Sequence, residues 1–152
     1  MKIGLISDTH GLLRPEALAA LSGCAHILHA GDIGRPEILD ALRELAPLSV
    51  VRGNNDEALD WARELPERLE LELGGVGICL THQASQVPAQ LAELIHVVVT
   101  GHSHQPLIEE RAGRLWINPG SAGPRRFKLP ISLGLLHIEN GTPRAELIEL
   151  QP

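Results

Sequence analysis

The sequence predicts an α/β fold of two packed β-sheets flanked by helices, and three observations carry that expectation. Strand-like apolar runs alternate with amphipathic helical stretches in the first half, whereas the second half is almost all strand-like; this suits two sheets better than one doubly wound sheet. Five of the runs end directly in metal-seeking residues: Asp8-Thr9-His10, Gly31-Asp32, Gly53-Asn54-Asn55-Asp56, Thr81-His82 and Gly101-His102-Ser103-His104. In α/β proteins the loops after the carboxyl ends of strands converge on one crevice, so distant segments can build one site. Finally, 152 residues with 43% hydrophobic and 21% charged side chains are expected to form one globular domain, residues 1–152.

The elements follow in order. Residues 2–7 alternate as a strand, and residues 15–21 read as a helix that places Pro15 at its first position. Residues 26–30 are a second strand. Residues 36–46 repeat the helical pattern with Ile38, Leu39, Leu42 and Leu45 on one face, and residues 48–52 form the third strand. Residues 57–64 are predicted helical and end before Pro66, while 68–73 and 76–80 form a hairpin across Gly74-Gly75. A further helix is expected over 88–94, then a strand rich in β-branched residues over 96–100. Strands over 107–111, 115–118, 131–138 and 144–150 complete the chain, with turns at Ala112-Gly113 and Asn140-Gly141.

Charge and composition narrow the function. A net charge of -6 argues against an extended nucleic-acid track, which needs several Lys or Arg contacts to phosphate, and 2% aromatic residues leave few platforms for bases. Two bound divalent cations would nevertheless make the crevice attractive to a phosphate. No apolar run approaches the length of a membrane span, and with a strand beginning at Lys2 there is no room for a leader, so a cytoplasmic location is expected. Cys24 and Cys79 have no ligand spacing and read as buried small hydrophobes. A small-molecule partner follows, and a homo-oligomer is compatible with these features.

Taken singly, each motif has an ordinary explanation: an Asp caps a turn, a Gly-Asn-Asn run bends the backbone, a lone His sits hydrogen-bonded at a strand end. Five motifs at five strand ends are not explained that way. Asp8 and His10 lie two apart, so both side chains can reach one ion. Asp32 offers two oxygens and can bridge, Asn54 adds a neutral oxygen, and His82, His102 and His104 add imidazoles. Mixed oxygen and nitrogen donors suit Mn, Fe, Zn, Co or Ni, and seven groups are too many for one tetrahedral ion. Two ions sharing a carboxylate leave positions open for water and substrate. Of the other histidines, only His29 is placed to orient a ligand; His26, His96 and His137 read as ordinary strand residues.

This ordered motif set resembles the calcineurin-like metallophosphoesterases, and SDTHGLLRPEAL, HAGDIG, LPERLELELGG and NPGSAGPRRF narrow the resemblance to their small prokaryotic phosphodiesterase branch. The resemblance implies a sandwich of two mixed β-sheets and two divalent ions, manganese first among them. It implies Asp8, His10, Asp32 and His104 around one ion, and Asp32, Asn54, His82 and His102 around the other. It further implies in-line attack on phosphorus by a water or hydroxide held between the ions, with Asn55 and Asp32 in catalytic roles and Asn55, Asn118, Gly120 and Ser121 near the substrate.

Two departures matter. Relatives often carry histidine where Asn55 stands, and an amide donates a hydrogen bond but is no general acid, so good leaving groups or phosphodiesters are expected over monoesters. Gln83-Ala84 replaces a Gly-His continuation after the ligand position His82, which bears on the second ion. The rival expectation is a metal-binding interaction scaffold on the same fold, as the retromer subunit is; retention of all seven donors favours the enzyme. Arg125, Arg126 and Lys128 form the one compact basic cluster, beside the residue 118–121 loop.

Overall fold

In chain order the elements are β1 (Lys2–Ile6), α1 (Pro15–Leu21), β2 (His26–His29), α2 (Pro36–Leu45), β3 (Leu48–Val50), β4 (Arg68–Leu73), β5 (Val76–Thr81), β6 (Ile95–Val99), β7 (Leu107–Arg111), β8 (Arg114–Asn118), β9 (Ser132–Glu139) and β10 (Thr142–Glu149). The computed structural model describes all residues, 1–152. The strands form two mixed five-stranded sheets, as expected. One has the order β10-β9-β1-β2-β3, with β1, β2 and β3 parallel and β9 antiparallel to both neighbours. The other has the order β4-β5-β6-β8-β7, with β5, β6 and β8 parallel and antiparallel edges.

Strand alternation decides what each face buries. Ile3 and Leu5 of β1, Leu28, Val76, Ile78 and Leu80 of β5, Val97 and Val99 fill the layer between the sheets. The outer face of the first sheet gives Ile6, Ile27, Leu133 and Leu135 to Ala17 and Leu21 of α1 and to Ile38, Leu39 and Leu42 of α2. Each such aliphatic side chain, fully buried, contributes about 1.5–3 kcal/mol. Both helices start on a proline followed by glutamate, where a missing N–H costs nothing and the acid complements the dipole. No helix is long and apolar enough to cross a membrane.

Two predicted helices do not form. Residues 57–64 give only turns, with short 3-10 segments at Asn54–Asp56 and Asp60–Ala62. Asp56 is anchored at one end, Pro66 closes the other, and the Arg52 guanidinium takes the carbonyls of Arg63 and Leu65, while Trp61 and Leu65 pack onto the core under α1 and α2. Residues 88–94 also lack a helix. The Arg114 guanidinium donates to the carbonyls of Leu91, Ala92 and Ile95, and Val87 and Leu91 cover the outer face of the second sheet around Cys79 and Val98. Those carbonyls are therefore spent on an arginine.

Candidate metal centre

The five motifs meet at one end of the molecule, where the parallel strands of both sheets deliver their carboxyl ends. The loops after β1 and β2 run side by side: the N–H groups of Asp8, His10 and Gly11 donate to the carbonyls of Gly31, Asp32 and Ile33. The two sheets are tied here by Ala122 N–H to Ser7 O at 3.1 Å, and within the second sheet Gly101 N–H reaches His82 O at 2.9 Å. Asp8, His10, Asp32, His102 and His104 all hold positive φ, between 45° and 72°. A non-glycine residue in that region costs about 1–2 kcal/mol, although Asp and His adopt it more readily than most. That cost turns each side chain back into the crevice. Glycine is required beside two of them: a methyl at Gly53 would overlap the Asp32 carboxylate, and one at Gly101 would overlap the Ser7 hydroxyl and lie 2.8 Å from Asp8 Oδ2.

Two groups result, Asp8 with His10 and His104, and Asp32 with His82 and His102, the donor atoms of each lying within 4.8 Å of one another. Asp8 Oδ1 is 3.4 Å from His104 Nε2 and 3.7 Å from His10 Nε2. Asp32 Oδ2 is 3.2 Å from His82 Nε2 and 3.8 Å from His10 Nε2, so one oxygen faces both groups. Asn54 Oδ1 sits 3.1 Å from His102 Nδ1. The imidazole pairs His10/His104 and His82/His102 each bring ring nitrogens to 3.3 Å.

The donor set fits divalent cations on its own chemistry. Asp8 is fully buried; its Oδ2 accepts from the Ser7 hydroxyl at 2.6 Å and from His102 N–H at 3.0 Å, while Oδ1 has no hydrogen-bond partner. A buried, unpartnered carboxylate oxygen facing two imidazole nitrogens is costly without a cation. His82 Nδ1 donates to Ala30 O at 2.7 Å, which fixes the tautomer and turns the Nε2 lone pair into the site. Burial opposes ionisation of Asp8 and Asp32, but His10 and His104 beside Asp8 and His82 beside Asp32 outweigh it, holding both carboxyls below their usual range. His10 is raised by the nearby Asp8 carboxylate against burial and the charge of Arg126, and Asp32 overcomes the burial of His82 to raise it too. The site thus draws positive charge between its carboxylates.

A family model for the calcineurin-like phosphoesterase superfamily domain matches residues 1–141. The chain belongs to this superfamily. A probable metallophosphoesterase of Methanothermobacter thermautotrophicus is 35% identical over 97% of this chain and 92% of its own length. A phosphodiesterase of Methanocaldococcus jannaschii is 27% identical over 98% of this chain and all 100% of its own. Wild-type Vps29 of Entamoeba histolytica, solved as a complex with zinc, is similar with a TM-score of 0.72 at 25% identity, covering 98% of this chain and 99% of that one.

Beside the phosphoesterase-family ligand positions stand Asp56, which sequence reasoning left without a role of its own, and His29, which it placed to orient a ligand. Asp56 is fully buried and accepts from the N–H of Gly53 at 2.8 Å, of Ile33 at 3.0 Å and of Gly34 at 3.3 Å, clamping the Asp32 loop to the Asn54 loop. A buried Asp three residues after the glycine, accepting its N–H, is a capping signal the motif already contained. His29 takes Gly31 N–H on Nδ1 at 3.0 Å, so Nε2 carries the proton and donates to Thr9 Oγ1 at 3.1 Å; burial pushes its pKa down to about 4. It holds the backbone that carries Asp32 and makes no hydrogen bond to a candidate ligand side chain.

Asn118 and Ser121 are buried and brace the crevice from behind. Asn118 Nδ2 donates to Gly101 O and Ser103 Oγ, its Oδ1 accepts from Gly120 N–H, and Ser121 Oγ donates to Asp8 O. Asn55 is exposed, and both its N–H at 2.9 Å and its Nδ2 at 3.2 Å donate to Asp32. His26 and His137 pair with Ser49 and Glu146, away from the site.

Proposed function

We propose that the protein is a metal-dependent phosphodiesterase: one domain, residues 1–152, with a two-ion centre that hydrolyses a small phosphoric ester in the cytoplasm. The observation that carries this reading is Asp32 Oδ2, which faces His82 Nε2 at 3.2 Å and His10 Nε2 at 3.8 Å, beside the unpartnered Asp8 Oδ1. Asp8, His10, Asp32 and His104 would hold one divalent ion and Asp32, Asn54, His82 and His102 the other; manganese heads the candidates, with iron, zinc, nickel and cobalt behind it. When bound, such ions supply Lewis acidity toward the phosphoryl oxygens and a lowered pKa for water.

The chain's own part is positional. His82 and His102 are aimed by Ala30 O and by the Gly101 turn, Asp56 and His29 hold the loops, and Asn118, Gly120 and Ser121 keep them in register. Asn55 lies beside Asp32 at the open side, where its amide can donate to a phosphoryl or leaving oxygen but supplies no proton. The departing alkoxide must therefore leave without acid assistance from this position, which favours diesters with good leaving groups over monoesters. Likeness to a phosphodiesterase along the whole chain supports this substrate class. The likeness to Vps29 favours a second reading, a metal-binding protein-interaction scaffold on the same fold.

The test is hydrolysis of an activated aryl phosphodiester by purified protein with manganese, cobalt, zinc or nickel. Turnover is expected, fastest with manganese. Full metal occupancy without turnover of any phosphoric ester would overturn the enzyme in favour of the scaffold.

A further inference from the structure

One cavity opens directly on the candidate metal centre and is lined by His10, Asn55 and His104 together with Pro124, Arg125 and Arg126; its volume is about 270 Å3. Its cationic wall belongs to a loop that the mechanism above does not use. Pro124 and Pro130 bound the loop, Arg14 donates to Gly123 O at 3.2 Å where it begins, and Leu129 N–H donates to Arg126 O at 3.1 Å to close a turn. Phe127 at its tip is 89% exposed, so this short segment stands away from the protein's own core.

The guanidinium groups there are free to bind. Elsewhere Arg35, Arg43, Arg52, Arg63 and Arg111 pair with carboxylates, Arg14 and Arg114 donate to backbone carbonyls, and Arg68 and Arg144 lie on the edge strands β4 and β10 without an ion pair. Arg126 has neither an ion pair nor a side-chain hydrogen bond, and Arg125 spends one N–H on Leu129 O at 3.3 Å. In a chain of net charge -6, two guanidiniums without carboxylates at the mouth of the acidic centre are an asymmetry that calls for an anion.

The scissile phosphate does not account for them. Two divalent ions would outweigh Asp8 and Asp32 by about two positive charges, already enough for a diester bearing one negative charge. Two further guanidiniums match an additional group of about two negative charges, which a terminal phosphate carries, and their planar forks suit its oxygens.

We infer that Arg125 and Arg126 form a second phosphate-binding subsite, so that the preferred substrate is a phosphodiester carrying a further terminal phosphate on the arm that lies along the residue 124–128 loop. The inference rests on the phosphoesterase reading for the scissile bond.

The experiment compares two compounds on manganese-loaded protein: the p-nitrophenyl ester of thymidine 5′-phosphate with its 3′-hydroxyl free, and the same ester phosphorylated at the 3′ position. The phosphorylated ester should show kcat/KM higher by about tenfold, expressed in KM, since a charge-assisted contact is worth that much. In Arg125→Ala/Arg126→Ala the ratio should collapse towards one, and Arg126→Lys should retain part of it. A second arm needs no turnover: calorimetry with thymidine 3′,5′-bisphosphate and thymidine 5′-phosphate should give about the same tenfold preference, lost in the double variant. Equal binding of the two nucleotides by the native protein, or a preference unchanged in the double variant, would overturn the subsite. Absence of hydrolysis with the calorimetric preference intact would instead overturn the phosphoesterase reading and leave the subsite standing.

Discussion

Asp56→Ala is the perturbation whose size the structure fixes best. The carboxylate is fully buried and accepts from Gly53 N–H at 2.8 Å and Ile33 N–H at 3.0 Å, with Gly34 N–H at 3.3 Å contributing less. Each buried donor left unpaired costs about 1–3 kcal/mol, so two strong bonds and one long one give roughly 3–5 kcal/mol. That is a large share of the ~5–15 kcal/mol that stabilises a domain. Urea unfolding of the metal-depleted protein, followed by the fluorescence of Trp61 and Trp116, measures it without the added stability of bound ions. At a slope of about 2 kcal/mol/M the midpoint should fall by about 2 M. Asp56→Asn keeps one acceptor oxygen and should fall about half as far. A midpoint shift below about 0.5 M in Asp56→Ala would refute the claim that this residue joins the two ligand-bearing loops.

His29 makes stability depend on pH. Its unfolded pKa of 6.5 drops to about 4 in the fold, so the unfolded chain binds more protons between those values and stability falls as pH drops from 6.5 towards 4. The loss amounts to about 3 kcal/mol and levels off below pH 4. His10 and His82, raised in the fold, act in the opposite sense: their contribution is full below 6.5 and disappears as pH rises through the raised values. Chelator-treated native protein should therefore show a steeper acid-side loss than His29→Gln in pH-dependent unfolding; identical profiles would contradict the assignment. Asn55→Ala should leave metal content unchanged and lower kcat on an aryl diester by about fivefold to tenfold, the worth of roughly one hydrogen bond. Loss of metal, or unaltered kcat, would be the contrary result. Gly101→Ala forces a methyl against Ser7 and Asp8 and should cost about 1–3 kcal/mol together with metal affinity, whereas Gly113→Ala, with φ of 77° and open space around it, should cost only the backbone strain of about 1 kcal/mol. Thermal midpoints and dialysis against manganese separate the two.

Much of this was written in local pattern. Proline at the first helical position marked α1 and α2, with apolar spacing added at α2, and apolar or alternating runs bounded by turn residues marked all ten strands, because each side chain there meets a partner dictated by period. The helices expected over 57–64 and 88–94 failed because carbonyls at their ends answer to distant arginines: Arg52 takes those of Arg63 and Leu65, and Arg114 takes carbonyls from a segment about twenty residues earlier. The candidate site was legible as strand-end motifs, since each candidate ligand follows a strand that the core holds in place. Asp56, His29 and Arg126 were less so, because what each does depends on which loops lie together in three dimensions. Asp56 stood inside a motif as its last letter. Arg126 was visible only as a member of a basic cluster.

The central claim is that one carboxylate serves two ions, and counting the ions tests it. Equilibrium dialysis against manganese, followed by elemental analysis, should find two ions per native chain. Asp32→Asn should weaken both, leaving less than one under the same conditions, while the variant retains the native circular dichroism spectrum. A single ion in the native protein, or two retained in Asp32→Asn, would contradict the shared centre.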